Sequence, residues 1–139
     1  MTPSFIIDCS LTMTWCFGDE ATDEIANIQE RLISEAAAVP PLWKLEVANV
    51  LAMAEKRNRI TVADSTQFVQ LIASFDIQID FDCMAQVFGQ VLPLARNHGL
   101  TSYDASYLEL ALRRRLPLAT LDDDLRKAAT ALGIEVLGK

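Results

Sequence analysis

The chain has 139 residues, 51% of them hydrophobic, which suits one compact domain with its own core. Its formal net charge of −7 argues against a simple nucleic-acid binder, since affinity for phosphate comes mainly from Lys and Arg. An acidic protein still binds RNA when metal ions screen the site and its basic residues cluster. No apolar run approaches the length of a membrane span and the N-terminus lacks a signal-peptide pattern, so we expect a soluble cytoplasmic protein with no membrane partner.

The first half of the chain alternates short apolar runs with helical patterns. Residues 4–9 form a continuously apolar run that ends in an acid, which is typical of a buried parallel strand. Helical patterns follow over residues 10–17, 19–38, 42 to about 57 and 61 to about 75. The second of these is expected to bury Ile25, Ile28, Leu32 and Ile33. Val39 is a brief strand candidate between the second and third helices.

The second half repeats this alternation. Strands are predicted over residues 77–81, 118–120 and 134–137. Helices are predicted over residues 83–97, 101 to about 115 and 122 to about 132. Strands that alternate with helices predict a layered α/β fold around a mainly parallel sheet, formed by residues 1–139 as a single domain.

Cysteine and histidine usage narrows the possible chemistry. The three cysteines, Cys9, Cys16 and Cys83, form no Cys-x-x-Cys pair, which disfavours a disulfide framework and a structural zinc site. Their simplest interpretation is as small buried apolar side chains. His98 is the single histidine, so the chain alone builds neither a Ser-His-Asp triad nor a His-based zinc site. Acid–base or metal chemistry must therefore rest on carboxylates.

Two acids are predicted at one edge of the sheet. Asp8 ends the first strand, and Asp122 lies just past the strand at 118–120. Sites in such sheets form beyond the carboxyl ends of the strands, so the two side chains should emerge together. Helix capping explains each acid equally well, and Asp123 and Asp124 would suit the first turn of the last helix.

Two further acids occupy helices. Glu46 lies inside a very apolar helix, where a buried unpaired charge is costly and needs a cation or hydrogen-bond partners. The alternative is that Glu46 occupies the one wet edge of that helix, with Asn49 one turn further on to orient it. Asp104 follows Thr101 at the spacing of a capping box, a structural explanation that is compatible with a carboxylate in a cleft.

Clustered carboxylates repel each other unless a cation lies among them. Mg²⁺ and Mn²⁺ select carboxylate and water oxygens, and such ions hydrolyse phosphodiesters without a nucleophile from the protein. None of the four acids is a specific signal by itself, but together they would suit metal-assisted hydrolysis of a phosphodiester, which needs no triad.

The acids lie in segments that together resemble the PIN-domain nucleases, and in particular the VapC-type toxins of bacterial toxin–antitoxin pairs. These segments are residues 7–10 (IDCS), 43–51 (WKLEVANVL), 103–111 (YDASYLELA) and 118–122 (LATLD). The Tyr-Asp-Ala element followed by Thr-x-Asp is the most specific part. The resemblance also includes the Trp15 segment before Gly18-Asp19-Glu20, and it extends over essentially the whole chain.

The resemblance implies a three-layer α/β/α sandwich, Mg²⁺- or Mn²⁺-dependent endoribonuclease activity, homodimerisation and inhibition by a cognate antitoxin. By position, the family acids are Asp8, Glu46, Asp104 and Asp122, although Asp123 and Asp124 leave the fourth position ambiguous. Asp8 and Asp104 are expected as direct metal ligands. Glu46 completes the metal's surroundings or orients the attacking water, and Asp122 binds through water or holds a second metal. Ser10 and Thr120 match small hydroxyl positions that support these acids.

Basic residues are sparse and do not identify an RNA surface alone. Arg113, Arg114, Arg126 and Lys127 are candidates for phosphate contact, although the Arg run also suits a helix C-terminus. Lys56, Arg57 and Arg59 form another basic group. Exposed apolar residues on the helices between 42 and 75 would suit a dimer face or an antitoxin groove, with core packing as the default explanation.

Rival interpretations make different demands on the sequence. A receiver-like signalling domain would need paired acids after the first strand, and Asp8 has no acidic neighbour. A haloacid-dehalogenase-like phosphatase would need Asp-x-Asp, where this chain has Asp8-Cys9-Ser10. A catalytically inert PIN-like interaction module and a non-toxin nuclease both stay open.

Overall fold

A computed structural model of the protein describes residues 1–18 and 21–138. Five strands form one sheet in the order β3-β2-β1-β4-β5, and all four neighbouring pairs are parallel. The strands are β1 (Pro3–Ile7), β2 (Ala36–Val39), β3 (Ile77–Ile79), β4 (Leu118–Ala119) and β5 (Val136–Leu137). The order places β1, which carries Asp8 at its end, in the middle of the sheet.

Seven α-helices lie within the described residues. They are α1 (Cys9–Phe17), α2 (Asp23–Arg31), α3 (Leu42–Lys56), α4 (Val62–Ala73), α5 (Leu92–His98), α6 (Ser102–Arg114) and α7 (Asp123–Ala131). Helix α6 packs on β1 and β4, and α1 contacts α2 and α3. The α/β sandwich expected from the sequence is confirmed. No helix in residues 1–18 and 21–138 is long and apolar enough to cross a membrane.

Polar side chains begin several of these helices. Thr61 forms a full capping box with Asp64 at the start of α4, and Thr101 accepts a hydrogen bond from the backbone N–H of Asp104 at the start of α6. Asp8 and Asp122 cap α1 and α7 in the same way. Two of the four candidate acids are therefore anchored by the helices that follow them.

The long helix expected over residues 19–38 is wrong at its C-terminal end. Helix α2 ends at Arg31, and Ala36–Val39 form β2, paired with β1 on one side and β3 on the other. Alanine favours helix as an isolated residue, but these positions are completely buried and their small side chains fit a central strand with both faces covered. Ile33, expected in the core, is 79% exposed because it follows the end of the helix. Residues 19 and 20 lie outside the described residues.

The helix expected over residues 83–97 is divided. A 3₁₀ segment (Phe81–Gln86) and a π-helical turn (Val87–Val91) precede the short helix α5. Pro93 lies in the first turn of α5, where its missing N–H is tolerated, so a regular helix begins there and does not continue from the residues before it. Helix α5 is capped at its C-terminus by Gly99, whose φ of 62° is the left-handed conformation that favours glycine.

Candidate active site

Asp8 is the buried centre of the site. It directly follows β1, it is 4% exposed, and its Oδ1 accepts a hydrogen bond of 3.0 Å from the backbone N–H of Leu11. The register that pairs Ile7 with Ala119 sets Asp8 beside Thr120, the first residue after β4. The parallel sheet thus brings together two residues that are far apart in the sequence.

Two hydroxyl groups hold the Asp8 carboxylate. Ser10 Oγ donates to Oδ1 at 2.7 Å, and Thr120 Oγ1 donates to Oδ2. Both hydroxyls also accept hydrogen bonds from the chain after β4: Ser10 from the N–H of Leu121, and Thr120 from the N–H of Asp122. Ser10 and Thr120 therefore connect Asp8 to the loop that carries Asp122. Their role in supporting the acids stays a prediction.

The pKa of Asp8 is raised from 3.8 to about 6. Burial is the main cause, and the nearby carboxylate of Asp104 adds to it. Hydrogen bonds from Thr120, Leu11 and Ser10 act in the opposite direction without cancelling the effect of burial. A nearby positive charge would therefore stabilise the ionised form of Asp8.

Glu46 lies half-buried in the second turn of α3. Its Oε1 accepts a hydrogen bond of 2.6 Å from the hydroxyl of Tyr107, which belongs to α6. Burial raises the pKa of Glu46, the Tyr107 bond lowers it, and the charges of Asp104 and Asp8 raise it again. Within the described residues, the hydrogen bond to Glu46 comes from Tyr107 and not from Asn49, which is exposed on the same helix. Sequence analysis missed Tyr107, although it lies one helical turn after Asp104 in the most specific segment.

Asp104 lies in the first turn of α6. Its backbone N–H donates to Thr101 Oγ1 at 3.1 Å, but its carboxylate does not complete a capping box with the Thr101 backbone, unlike Asp64 at Thr61. The Thr101 cap thus uses the backbone N–H of residue 104 and does not use the Asp104 carboxylate. Burial raises the pKa of its carboxylate, and the charges of Asp122 and Asp124 raise it further.

Asp122 caps α7 through a hydrogen bond of 2.8 Å from the N–H of Leu125 to its Oδ1. Of its two acidic neighbours, Asp124 also acts on the pKa of Asp104, although less than Asp122 does. The charge of Asp122 therefore acts on Asp104 more strongly than that of Asp124, and the choice of Asp122 as the fourth family acid stays a prediction.

The four carboxylates influence one another without a compensating ion pair among the described residues. Asp104 interacts electrostatically with Asp8, Glu46 and Asp122. The ion pairs described in residues 1–18 and 21–138 involve other acids: Glu35, Asp76, Asp80 and Glu109. In the same part of the chain, no three Asp, Glu, His or Cys side chains are close enough to hold a metal ion together. The arrangement is a loose cluster of negative charge at the carboxyl edge of the sheet.

Cys9 follows Asp8 but is a poor nucleophile. Burial raises its pKa to about 12, and the charges of Glu46 and Asp8 contribute. All three cysteines are free, as the sequence predicts, and Cys83 is buried. The polar groups that the site offers are therefore carboxylate and hydroxyl oxygens.

A cavity of about 270 Å³ opens beside Asp122. Ser10 and Asp122 line one part of it, and Thr14, Phe17 and Arg59 line another. The Arg59 guanidinium lies over the Phe17 ring, 4.0 Å from its centroid. Arg59 therefore places a cation in the same cavity as Asp122.

The basic residues selected from the sequence have different environments. Arg113 bonds to Glu109 at 2.6 Å and to Asp80 at 3.2 Å, and Arg114 lies 3.5 Å from Asp80. Arg126 donates to the carbonyl of Thr120 at 2.9 Å, next to the site, and Lys127 is exposed. Their contact with RNA stays a prediction.

Known proteins share this fold and sequence. A profile of the PIN domain matches residues 5–131. The chain belongs to the PIN-domain family. Ribonuclease VapC3 of Pyrobaculum aerophilum is 30% identical over 112 residues, which cover 79% of this chain and 86% of that relative. The crystal structure of PAE2754 from Pyrobaculum aerophilum matches with a TM-score of 0.72 and 23% identity, covering 98% of this chain and 92% of that chain.

The comparisons confirm the resemblance to a VapC-like PIN-domain protein that the acidic segments predict. The match with the crystal structure is at too low an identity to carry more than the fold. The matched residues 5–131 include all four candidate acids, from Asp8 to Asp122.

Proposed function

We propose that residues 1–139 form a single PIN-like domain that acts as a Mg²⁺- or Mn²⁺-dependent endoribonuclease. The observation that carries the proposal is the cluster of Asp8, Glu46, Asp104 and Asp122, whose mutual repulsion has no ion pair to offset it among the described residues. A divalent cation held among the four carboxylates would offset this repulsion. The ribonuclease activity named for the VapC3 relative supports the choice of RNA as substrate.

The donor set fits a hard cation because it consists of carboxylate and hydroxyl oxygens. We assign Asp8 and Asp104 as direct ligands, Glu46 as a further ligand or the group that orients the attacking water, and Asp122 as a ligand through water or at a second ion. Within residues 1–18 and 21–138, no three Asp, Glu, His or Cys side chains are close enough to hold one ion together. We therefore expect direct bonds from one or two of these carboxylates, with water between the ion and the others, as is usual for Mg²⁺. When bound, the cation polarises the phosphoryl oxygen and activates a water.

The protein supplies orientation and charge for this reaction. Ser10 and Thr120 fix both oxygens of Asp8 and thereby fix the direction in which it faces the substrate. We expect the scissile phosphate beside Asp104, with the neighbouring RNA backbone in the cavity that Arg59 lines. Arg113, Arg114, Arg126 and Lys127 are proposed as more distant phosphate contacts.

We further propose that the protein is the toxin of a toxin–antitoxin pair in the cytoplasm and that it forms a homodimer. Two apolar surfaces support binding to partners. One is a groove of about 680 Å³ between α3 and α4, which Val47, Leu51 and Val69 help to line. The other is the surface of the segment from Phe81 to Val91, where Phe81 is 74% and Phe88 is 85% exposed. Exposed apolar patches on small proteins commonly mark contact sites.

The direct test is cleavage of RNA by the purified protein, freed of any partner. We expect cleavage with Mg²⁺ or Mn²⁺, none in excess chelator, and none from Asp104→Asn. This substitution keeps the Thr101 cap, because that bond uses the backbone N–H of residue 104. Asp82→Asn, which removes an exposed carboxylate outside the cluster, is the matched control and should cleave at the wild-type rate.

Two results would contradict the proposal. Full cleavage by Asp104→Asn or in chelator would reject the carboxylate-held metal. Absence of cleavage from the folded wild-type protein with either ion, on structured and unstructured RNA, would favour an inert interaction module. For the toxin role, we expect growth arrest on expression that a small neighbouring gene relieves; no effect on growth would favour a non-toxin nuclease.

A further inference from the structure

We propose that Tyr107 is a positioning residue that fixes the Glu46 carboxylate relative to Asp104; this inference rests on the proposed function. Tyr107 is 1% exposed, and its hydroxyl donates the 2.6 Å hydrogen bond to Glu46 Oε1. This hydrogen bond connects Glu46 on α3 to α6, the helix that carries Asp104.

The position of Tyr107 on α6 explains why it reaches the site. Residues three apart on a helix lie on the same face, so Tyr107 follows Asp104 along the side of α6 that meets the acidic cluster. Its ring belongs to the hydrophobic core, together with Leu108 and Leu110 of the same helix. A tyrosine ring has few rotatable bonds and is held here by packing, so its hydroxyl is a fixed point.

Glu46 needs such a fixed point more than the other acids do. Asp8 and Asp122 are each held by a backbone N–H, and Asp104 has a short side chain in the first turn of α6. Glu46 has a longer side chain and is repelled by the charges of Asp8 and Asp104, which favours conformations directed away from the cluster. The bond from Tyr107 holds Oε1, so a metal ion or a water would be met by Oε2.

A merely structural role for the same contact makes a different prediction. A buried tyrosine hydroxyl needs a partner, and Glu46 would then serve Tyr107 instead of the reverse. Loss of the hydroxyl would in that case change the stability of the fold but not the affinity for metal. A double-substitution cycle separates the two roles, because a residue that acts through Glu46 has no further effect once Glu46 is altered.

The experiment compares the wild type with Tyr107→Phe, Glu46→Gln and the double variant. Mn²⁺ binding is measured by calorimetry on the protein without RNA, and cleavage is measured as kcat at saturating metal. We expect Tyr107→Phe to weaken Mn²⁺ binding or lower kcat by roughly 10-fold or more, as is usual for groups that orient metal ligands. Tyr103→Phe, an exposed position on the same helix, is the matched control and should change both by less than about twofold.

The expected signature is non-additivity: Tyr107→Phe should have little effect in the Glu46→Gln background. Equal effects in both backgrounds, or wild-type Mn²⁺ affinity and kcat in Tyr107→Phe, would overturn the inference while leaving the proposed function intact. A wild-type protein that neither binds Mn²⁺ nor cleaves RNA would overturn the proposed function and the positioning role with it. Unfolding curves of each variant ensure that only folded proteins are compared.

Discussion

Removal of the Asp8 charge should increase the stability of the metal-free protein, relative to the wild type, as the pH rises. Asp8 is buried, and its pKa rises from 3.8 to about 6 on folding. A carboxyl whose pKa is higher in the folded state binds its proton more tightly there, so the stabilisation is present at low pH and is lost as the pH rises from about 4 to above 6. This difference in pKa corresponds to about 3 kcal/mol at full ionisation.

The Asp8→Asn variant isolates this contribution. Asn keeps an oxygen that can accept the hydrogen bond from Leu11 and serves as a helix N-cap as well as Asp does. Any packing cost of the substitution is the same at every pH, whereas the charge contribution is not. The free energy of unfolding of Asp8→Asn relative to wild type should therefore increase by about 1.5 kcal/mol between pH 5 and pH 8.

The assay is urea denaturation in a chelator at both pH values, with Asp82→Asn as the control for an exposed carboxylate. The control should stay within about 0.5 kcal/mol of wild type at each pH. A difference between Asp8→Asn and wild type that does not change with pH would refute the reasoning, because it would mean that Asp8 is not ionised at a cost in the folded protein.

Further outcomes follow from the same structure. Mg²⁺ at about 100 times its Kd should stabilise the wild type by roughly 2.7 kcal/mol in thermal or urea unfolding, and Asp8→Asn should lose most of this increase. Arg59→Ala should raise KM for RNA several-fold with little change in kcat, and an unchanged KM would place the RNA backbone outside the cavity that Arg59 lines. Ala37→Leu should lower the free energy of unfolding by about 1–3 kcal/mol in urea, since Ala37 is completely buried in β2; a neutral effect would argue against tight packing there.

The sequence predicts most elements because their signals are local. A helix that begins at Thr61 with Asp64 three residues later satisfies its own backbone, and the structure has that capping box. Likewise, an apolar run that ends in Asp8 becomes a central strand with its acid at the carboxyl edge. The PIN-domain assignment uses the same information, since Asp8, Asp104 and Asp122 stand at strand ends or helix starts.

The wrong predictions depend on non-local packing. Ala36, Ala37 and Ala38 favour a helix by themselves, and only their pairing between two strands makes them β2. Sequence periodicity likewise does not predict the hydrogen-bond partner of Glu46. Asn49 is its neighbour along α3, but Tyr107 comes from a helix 61 residues later in the chain. Contacts of this kind follow from how α3 and α6 meet, which no single segment encodes.

The most direct measurement for the central claim is an anomalous difference map from crystals of the wild-type protein grown with Mn²⁺. The account predicts a manganese peak among the carboxylates of Asp8, Glu46 and Asp104, which disappears in crystals of Asp104→Asn. A manganese peak elsewhere on the protein, with the acidic cluster empty at saturating Mn²⁺, would contradict it.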